Sequence, residues 1–528
     1  MARTVIDPVT RIEGHLRVEV EVKDGVVVDA WSSGTLYRGM ETVLLDRSPE
    51  DAFYVTQRIC GVCPISHSHA SSQATEDALG IQIPEGGRLV RNLLEAAQFL
   101  HSHILWFYQL TALDYVSPIN ALNADIADTY ALAQAAGTRV ADFGAVANRL
   151  KAFADNGQMS IFSNHYWDHP GYVLPPELDL IATAHYLEAL EAQAVANEIV
   201  AIIAGKFSHP MTSVPGGTAF VPTVDKLDDI LFRFLKVKEF IDTALIPDTL
   251  AIAPFILDTL EYGGGCGNFI SWGVFEKSDL SPENRFHPRG FAQGLKAEGI
   301  TPDDVTEDVK HSWYSSGTGL NPAKGETQVK YEDYNTDGKY SYGKAVRAKG
   351  LPAESGPLSR MIVTYLAEAA GQDVAGGAAG VRTPKVLIDS TLEALGVGGK
   401  PEVLVSLLGR VAARNLENAY VVDLALMWVN ELVEALAGGD AQFWKAAEKD
   451  TGDGVGAWEA PRGSVAHWID IKNGKIAHYG IVAPTTWDIA PRDDNDVPGP
   501  MEQALIGAPI ADASKPLEAL RIAHSFDP

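Results

Sequence analysis

Residues 57–67 read Gln-Arg-Ile-Cys-Gly-Val-Cys-Pro-Ile-Ser-His and contain a C-x2-C-x3-H cluster formed by Cys60, Cys63 and His67. Two soft thiolates at this spacing can chelate one metal ion, and Gly61 eases the turn between them. The cluster therefore predicts a bound metal. Taken alone, the cysteine pair leaves two other interpretations open, which are half of a structural zinc site and a thioredoxin-like redox pair.

Both alternatives lack support in the surrounding sequence. A zinc site needs two more close ligands, and His69 and the later histidines show no matching spacing. A thioredoxin-like pair belongs to a small strand–helix unit, which this context does not resemble. Cys266, the third cysteine of the chain, is interpreted as a small buried residue in a glycine-rich loop. With only three cysteines, a disulfide scaffold is excluded.

Composition limits the remaining classes. The 528 residues exceed the usual size of a single core, so we expect a large multi-lobed body. The formal net charge of −27 argues against nucleic acid and anionic membrane surfaces as partners. The start of the chain lacks the apolar core of a signal peptide, and no apolar run is long enough to span a membrane. We expect no membrane span in this chain.

Strand patterns lie near both ends of the sequence. Residues 15–22 alternate, Asp24-Gly25 supplies a turn, and residues 26–31 return. A similar unit comprises residues 464–471, Asn473-Gly474 and residues 475–482. Two hairpins are predicted, at opposite ends of the chain.

The middle of the chain is predicted to be helical. Apolar residues recur at three- and four-residue spacing in four long segments, at 89–115, 178–204, 224–245 and 403–437. Residues 275–356 are rich in Gly, Asp, Lys and Tyr and are expected to form an irregular surface excursion. The predicted fold class is α+β, mainly α: a long-helix bundle with small β-hairpins from both ends.

This organisation predicts a single large body over residues 1–528. Within it we expect an N-terminal hairpin and motif region at 1–60, a helical bundle at 61–260 and an irregular region at 261–400. Residues 401–528 are expected to hold a helix, the C-terminal hairpin and part of the metal site.

Several motifs run in one order from residue 7 to the end of the sequence: Asp7-Pro-Val-Thr-Arg-Ile-Glu-Gly-His15, Arg38-Gly-Met-Glu41, Arg58-Ile-Cys-Gly-Val-Cys63, Ala112-Leu-Asp114, His209-Pro-Met-Thr-Ser-Val-Pro-Gly-Gly217, Ala460-Pro-Arg-Gly463 and Ala483-Pro-Thr-Thr-Trp487. In this series the chain resembles the large subunit of [NiFe] hydrogenases. The resemblance implies that fold, and an enzyme that interconverts H2 with protons and electrons.

The resemblance also implies roles at the metals. Cys60 would be a terminal nickel ligand, and Cys63 would bridge nickel to an iron that carries cyanide and carbon monoxide. His67 would donate a hydrogen bond to the bridging sulfur. Arg462, with Pro461 and Thr485, would line the pocket around the diatomic ligands.

Four acidic residues and one carbonyl group complete the implied site. Arg462 would face the open metal position as a candidate base, oriented by Asp114 and Asp527. Glu13 would relay the proton released from H2. Glu41 and the backbone carbonyl of Ile481 match positions that hold a magnesium ion (or iron) near the chain end.

The family sequence continues as D-P-C-x2-C-x2-H, whereas the present sequence stops at Asp527-Pro528. We expect the second cysteine pair to be missing from the record because a UGA codon for selenocysteine was read as a stop, as in [NiFeSe] members, or because the sequence is truncated. A degenerate, inactive scaffold is the third interpretation. The related quinone-site subunit of respiratory complex I, which is metal-free, is a further alternative, against which Cys60 and Cys63 argue.

The resemblance implies partners as well. Electrons would pass to a small subunit that carries the iron–sulfur clusters, and from there to a cytochrome acceptor. That partner would bring the export signal for a periplasmic location, with the cytoplasm as the alternative. His101, His103 and His185 are interpreted as packing or surface histidines on amphipathic helices.

Overall fold

Helices dominate the computed structural model, which describes residues 2–162, 168–399, 401–439 and 441–528. The α-helices, in chain order, are α1 (Met40–Leu44), α2 (Ala52–Thr56), α3 (Pro64–Leu79), α4 (Glu85–Leu105), α5 (Ile126–Ala135), α6 (Phe143–Asp155), α7 (Pro176–Ala204), α8 (Val224–Phe240), α9 (Ile246–Ile252), α10 (Pro357–Ala369), α11 (Pro384–Ala394), α12 (Leu407–Ala437), α13 (Pro484–Asp488), α14 (Pro500–Leu505) and α15 (Leu517–Phe526). The predicted class, mainly α with small sheets, is confirmed.

All sheets are small and antiparallel. Their strands are β1 (Ala2–Ile6), β2 (Leu16–Lys23), β3 (Val26–Gly34), β4 (Ser213–Val214), β5 (Gly217–Thr218), β6 (Asn268–Ser271), β7 (Gly290–Gln293), β8 (Lys296–Glu298), β9 (Val305–Asp308), β10 (Ala345–Ala348), β11 (Gly452–Ala460), β12 (Gly463–Lys472) and β13 (Lys475–Val482). The sheets pair in the orders β1-β2-β3, β4-β5, β6-β7-β8, β10-β9 and β11-β12-β13.

Both predicted hairpins form, and each gains a third strand. β2 and β3 meet at Asp24-Gly25, and β12 and β13 meet at Asn473-Gly474. All four turn residues have positive φ, between 52° and 78°, which is the requirement of the tight turn that suits a twisted hairpin. The added strands β1 and β11 pair with the opposite edges of β2 and β12.

The four long helices form where the apolar spacing predicts them, and two of them continue as π-helical turns. α4 leads into Trp106–Thr111, and α8 leads into Ile241–Leu245. α4, α7, α8 and α12 share one core, which includes Phe99, Leu100, Ile199, Val200, Phe234, Val421 and Trp428. In the described ranges, no helix combines the length and apolar character that a membrane crossing requires.

The prediction of an irregular surface excursion at 275–356 is confirmed only for residues 315–339, which are irregular and largely exposed, and is wrong for much of the remaining segment. The segment contains β7 to β10, and Trp313, Tyr340 and Arg347 in it are buried. Arg347 Nε pairs with Asp493 Oδ2 at 2.9 Å, which fixes the segment against the C-terminal part of the chain. The sequence pattern missed this packing because buried ion pairs and isolated aromatic residues leave no periodic signal.

The β11–β12–β13 sheet contacts α3 at very short range. The alternating residues Gly452, Gly454 and Gly456 of β11 face α3, and a methyl group on any of them would overlap its backbone. At Gly456 the overlap is with the carbonyl oxygen of Ala70. This close approach fixes the N-terminus of α3 relative to β12.

Gly456→Ala is expected to lower the free energy of unfolding by about 3 kcal/mol, because the added methyl group must push α3 away from β11. Thermal unfolding of the purified protein measures the loss. Gly299→Ala is the matched control, since no atom lies within 4 Å of the methyl group that it adds. Equal midpoints for the two variants would contradict the close packing described here.

Candidate metal centre

Cys60 and Cys63 lie in the short loop before α3. Cys60 follows the turn Gln57–Ile59, and Cys63 is the residue that precedes the first turn of α3. Their side chains are 8% and 3% exposed, and their Cα atoms are 5.4 Å apart. The structure records a disulfide between them, so in the reduced protein one loop presents two adjacent thiolates. The backbone N–H of Cys63 donates to Cys60 Sγ at 3.0 Å.

Glu13 reaches this loop from the N-terminal motif. Its Oε1 accepts a hydrogen bond from the backbone N–H of Gly61 at 2.9 Å and lies 3.8 Å from Cys60 Sγ. The backbone N–H of Glu13 donates to the carbonyl of Pro528 at 3.2 Å. The structure therefore brings together the two ends of the chain at the cysteine loop.

Arg462 lies in the turn that follows Ala460. Ala460, two residues earlier, packs with Cys60 and Cys63. Arg462 Nη2 is 3.1 Å from Asp527 Oδ1, and Nη1 donates to Ser102 Oγ at 3.1 Å. Arg462 Nε is buried and has no hydrogen-bond partner among the described residues.

Asp527 is held between two guanidinium groups. Its Oδ2 lies 2.9 Å from Arg414 Nη1, in addition to its contact with Arg462. Burial raises the pKa of the Asp527 carboxyl from its ordinary value, and both arginines oppose this effect. Asp527 and Arg462 thus lie within ion-pair distance of each other, as the sequence analysis expected.

Asp114 does not share this position, which corrects the sequence-based expectation. Its carboxylate pairs with Arg11 Nη2 at 2.5 Å and with His524 Nδ1 at 2.6 Å, rather than with Arg462. Burial alone would raise the pKa of Asp114, but Arg11 and His524 together lower it to about 2. Asp114 therefore ties the N-terminal motif to α15.

Arg360 fixes the turn that carries Arg462 through hydrogen bonds to the backbone of that turn. This buried guanidinium donates to Ala460 O at 2.8 Å and Pro461 O at 2.9 Å. Two bonds of 2.7 Å connect it to Glu417, and one of 2.9 Å connects it to Glu459. α10, α12 and the β11–β12 turn therefore meet at a single side chain.

Thr485 lies in α13, directly after β13. This short helix is attached to the loop before α10, because Ser355 donates from its hydroxyl to Pro484 O at 3.2 Å and from its backbone to Asp488 Oδ1 at 2.9 Å. The same loop leads to Arg360. Pro461 and Thr485 are thus positioned through one shared segment.

His67 has a partner that the sequence did not predict. Its Nδ1 lies 3.1 Å from His467 Nε2, and both imidazoles are buried. Because Nδ1 is engaged in this way, Nε2 is the only ring nitrogen left for a group at the cysteine loop.

Glu41 and Ile481 lie together, as predicted, although the backbone group differs. The backbone N–H of Ile481 donates a hydrogen bond to Glu41 Oε1 at 2.8 Å. The carbonyl of Ile481 cannot make such a bond, because an ionised carboxylate only accepts hydrogen bonds. Thr327 donates its hydroxyl to Glu41 Oε2. Nearby, Lys344 Nζ is 2.7 Å from Glu307 Oε2, so a buried cation already stands beside these carboxylates.

The chemistry of these donors fits a sulfur-bound metal in part. Cys60 and Cys63 are soft donors in a buried loop, and the unpaired Nε of Arg462 is a donor suited to an anionic ligand. Among the described residues, no three His, Cys, Asp or Glu side chains converge to hold a metal ion by themselves. By itself, the cysteine loop therefore offers two sulfur donor atoms.

His103 and His185 were interpreted as packing or surface residues, and the structure confirms the packing alternative for both. Both are fully buried, with His103 Nε2 at 2.8 Å from Glu417 and His185 Nδ1 at 2.8 Å from Asp248. His101 is buried against Phe207. Cys266, the third cysteine, lies outside the cluster that contains Cys60 and Cys63. Burial raises the pKa of its thiol to about 12.

Several residues that position the site were not identified from the sequence. Arg414 and Glu417 on α12, Arg360, and Arg11 with His524 are in this group. One signal was available: charged side chains recur on the apolar N-terminal half of α12, which is buried on every side. A charge in such a position requires a partner.

Comparisons with known proteins agree with this geometry. The profile described as nickel-dependent hydrogenase matches residues 38–528, and one described as HoxL-like matches residues 3–31. The Hydrogenase-2 large chain of Escherichia coli (strain K12) is 38% identical over 553 residues, covering 100% of this chain and 96% of that protein. The uptake hydrogenase large subunit of Rhizobium leguminosarum bv. viciae is 38% identical over 574 residues, covering 100% and 94%.

Solved structures show the same relationship. The Ni-Fe-Se hydrogenase from D. vulgaris Hildenborough in the reduced state matches with a TM-score of 0.81 at 33% identity, covering 100% of this chain and 98% of that chain. The reduced, active form of the enzyme from Desulfomicrobium baculatum matches with a TM-score of 0.80 at 33% identity, covering 100% and 99%. The chain belongs to the nickel-dependent hydrogenase family, as the large, catalytic subunit of an oxidoreductase that acts on H2 at a nickel–iron centre.

Proposed function

We propose that Cys60 and Cys63 bind the nickel–iron centre, with Cys60 as a terminal nickel ligand and Cys63 as the bridge to iron. The observation that carries this proposal is that the two buried cysteines pack with Ala460, and that Glu13 Oε1 lies 3.8 Å from Cys60 Sγ. When bound, the centre supplies the metals at which H2 is split heterolytically. The protein side chains then hold the diatomic ligands and remove the proton.

Arg462, Pro461 and Thr485 form the pocket for cyanide and carbon monoxide on the iron in this proposal. The free Nε of Arg462 supports it, because cyanide accepts hydrogen bonds from a guanidinium group. Arg462 would also serve as the candidate base beside the metals, and Asp527, 3.1 Å from its guanidinium group, would orient it. Asp114 contributes at a distance, by fixing the N-terminal motif through Arg11 and α15 through His524.

Glu13 is proposed as the first proton acceptor beyond the metals. A proton on Cys60 Sγ would have to cross 3.8 Å to reach Glu13 Oε1. The hydrogen bond from Gly61 N–H fixes that oxygen toward the sulfur, which suits a relay. Proton transfer away from the sulfur would leave the thiolate ready for the next turnover.

A second cation site is proposed at Glu41 and the carbonyl of Ile481, for Mg²⁺ or iron. The support is the 2.8 Å contact that places this carboxylate directly on β13. Magnesium prefers oxygen ligands of this kind.

Large subunits of this family pair with a small subunit, and we propose that this partner holds the iron–sulfur clusters. Only Cys266 remains outside the proposed nickel–iron site in the printed sequence, so the chain offers no cysteine set for a cluster of its own. We further propose that electrons pass on to a cytochrome and that the complex lies in the periplasm, as the resemblance implies.

Cys63→Ser is expected to abolish nickel and iron binding and H2 oxidation, because a serine oxygen is a poor ligand for these metals. Metal analysis of the purified two-subunit enzyme measures the loss, and far-ultraviolet circular dichroism checks that the helical content is retained. Cys266→Ser removes a thiol elsewhere and should keep the metals. Full metal content in Cys63→Ser would refute the assignment.

Glu13→Gln is expected to slow turnover by about 100-fold, because the amide retains the shape of the side chain but cannot carry the proton. Exchange between H2 and D2O should slow in parallel, while the metal content stays unchanged. The control is Glu50→Gln, which changes an exposed carboxylate in the turn Pro49–Asp51. Unaltered exchange in Glu13→Gln would exclude this residue as the relay.

A further inference from the structure

The first turn of α3 is not capped by the residue that precedes it. A helix begins with backbone N–H groups that lack partners within the helix, and the side chain just before it usually accepts from one of them. Cys63 occupies this preceding position, and its side chain makes no such hydrogen bond. Pro64, the next residue, has no N–H. The first backbone N–H of α3 that needs an acceptor is therefore that of Ile65.

Gln98 of α4 supplies this acceptor. The N–H of Ile65 donates to Gln98 Oε1 at 2.9 Å. Gln98 Nε2 in turn donates to Ser66 Oγ at 2.6 Å and to Glu95 Oε1 at 2.7 Å. The reverse orientation of the amide would set its oxygen against the carboxylate and its N–H groups against that of Ile65. Glu95 therefore fixes the orientation in which Gln98 can act as the cap.

Glu95 also joins α3 to β11. The Ser66 hydroxyl donates to Glu95 Oε1 at 2.5 Å, and Trp458 Nε1 donates to Oε2 at 3.1 Å. His69 Nδ1 lies 2.8 Å from the same Oε2. Glu95 is 0% exposed, and these three partners are 1% exposed or less. Trp458 precedes Ala460, which packs with the two cysteines, by two residues. One buried carboxylate thus contacts both segments that lead to the metal centre.

A third side chain on the same face of α4 contacts the arginine turn. Glu95, Gln98 and Ser102 are spaced as i, i+3 and i+7, so they follow one face of the helix. Arg462 Nη1 donates to Ser102 Oγ at 3.1 Å. This face of α4 therefore holds the start of α3 and the guanidinium group of Arg462 relative to each other.

We propose that Glu95 and Gln98 are positioning residues that hold Cys63 at the metal centre from α4. They provide the cap that Cys63 does not provide, so the Cys63 sulfur remains available for the metals. This role rests on the proposed function of Cys63 as the bridge between nickel and iron. Without the two side chains the first turn of α3 would loosen, and the sulfur at its start would shift relative to the metals.

Glu95→Gln and Gln98→Glu in the assembled two-subunit enzyme test the proposal. Glu95→Gln sets an N–H donor against another donor, and Gln98→Glu sets two carboxylates against each other. We expect either change to shift the infrared bands of the iron-bound diatomic ligands and to lower turnover about 10-fold, with nickel and iron contents retained.

The exchange Glu95→Gln with Gln98→Glu in one chain is the decisive variant. The amide at position 95 then donates to the carboxylate at position 98 and to Ser66, whose hydroxyl donates onward to that carboxylate. Trp458 and Ile65 keep an acceptor each. We expect the exchange to return the infrared bands to the wild-type frequencies and to recover most of the lost turnover. It also decides the case in which a single variant does not fold.

Gln193→Glu is the matched control. It makes the same change at a buried glutamine of α7, whose amide donates to Gln109 Oε1 at 2.7 Å. We expect a lower thermal midpoint there, with the infrared bands at the wild-type frequencies. The same behaviour in Glu95→Gln and Gln98→Glu, or bands that stay shifted in the exchange, would overturn the inference and leave the proposed function intact. A wild-type enzyme without diatomic bands would contradict the proposed function itself.

Discussion

The packing of the glycines of β11 against the backbone of α3 is the contact on which the rest of the structure depends. With side chains at Gly452, Gly454 and Gly456, α3 could not approach the sheet as it does. α3 begins at Pro64, directly after Cys63, and β12 begins at Gly463, directly after Arg462. The distance between the sulfur loop and the arginine turn is therefore set by a contact between backbones, which leaves little freedom for adjustment.

Buried ion pairs fix the position of the turn that carries Arg462 relative to the helices. Arg360, Glu417 and Glu459 are 0% exposed, and Asp527 lies between Arg414 and Arg462. Removing one partner from such a network would leave another charge buried without compensation, so the network tolerates one arrangement only. Glu417 of α12 binds Arg360, and Arg360 binds the carbonyl of Pro461. The helical bundle therefore fixes the turn at Pro461, which lies in the proposed iron pocket.

The site residues differ in how much the sequence revealed. The C-x2-C pair was identified from its thiol spacing, whereas Glu13, Glu41 and Arg462 were identified only through the resemblance to the hydrogenase family. The link between Asp114 and Arg462 was wrong, because the choice between Arg11 and Arg462 as a partner depends on the packing of α15. The His67–His467 contact joins residues that no local pattern relates.

By itself, the sequence determined the long helices, the two hairpins and the soft donor pair, since apolar spacing, Asp-Gly and Asn-Gly turns and thiol spacing act over a few residues. Only the tertiary structure decided that parts of 275–356, around Trp313 and Arg347, are buried rather than exposed, and that three glycines of β11 pack against α3. It also decided which acid pairs with which arginine. The physical reason is that these features depend on the distance between segments far apart in the chain, and that distance is set by the whole core.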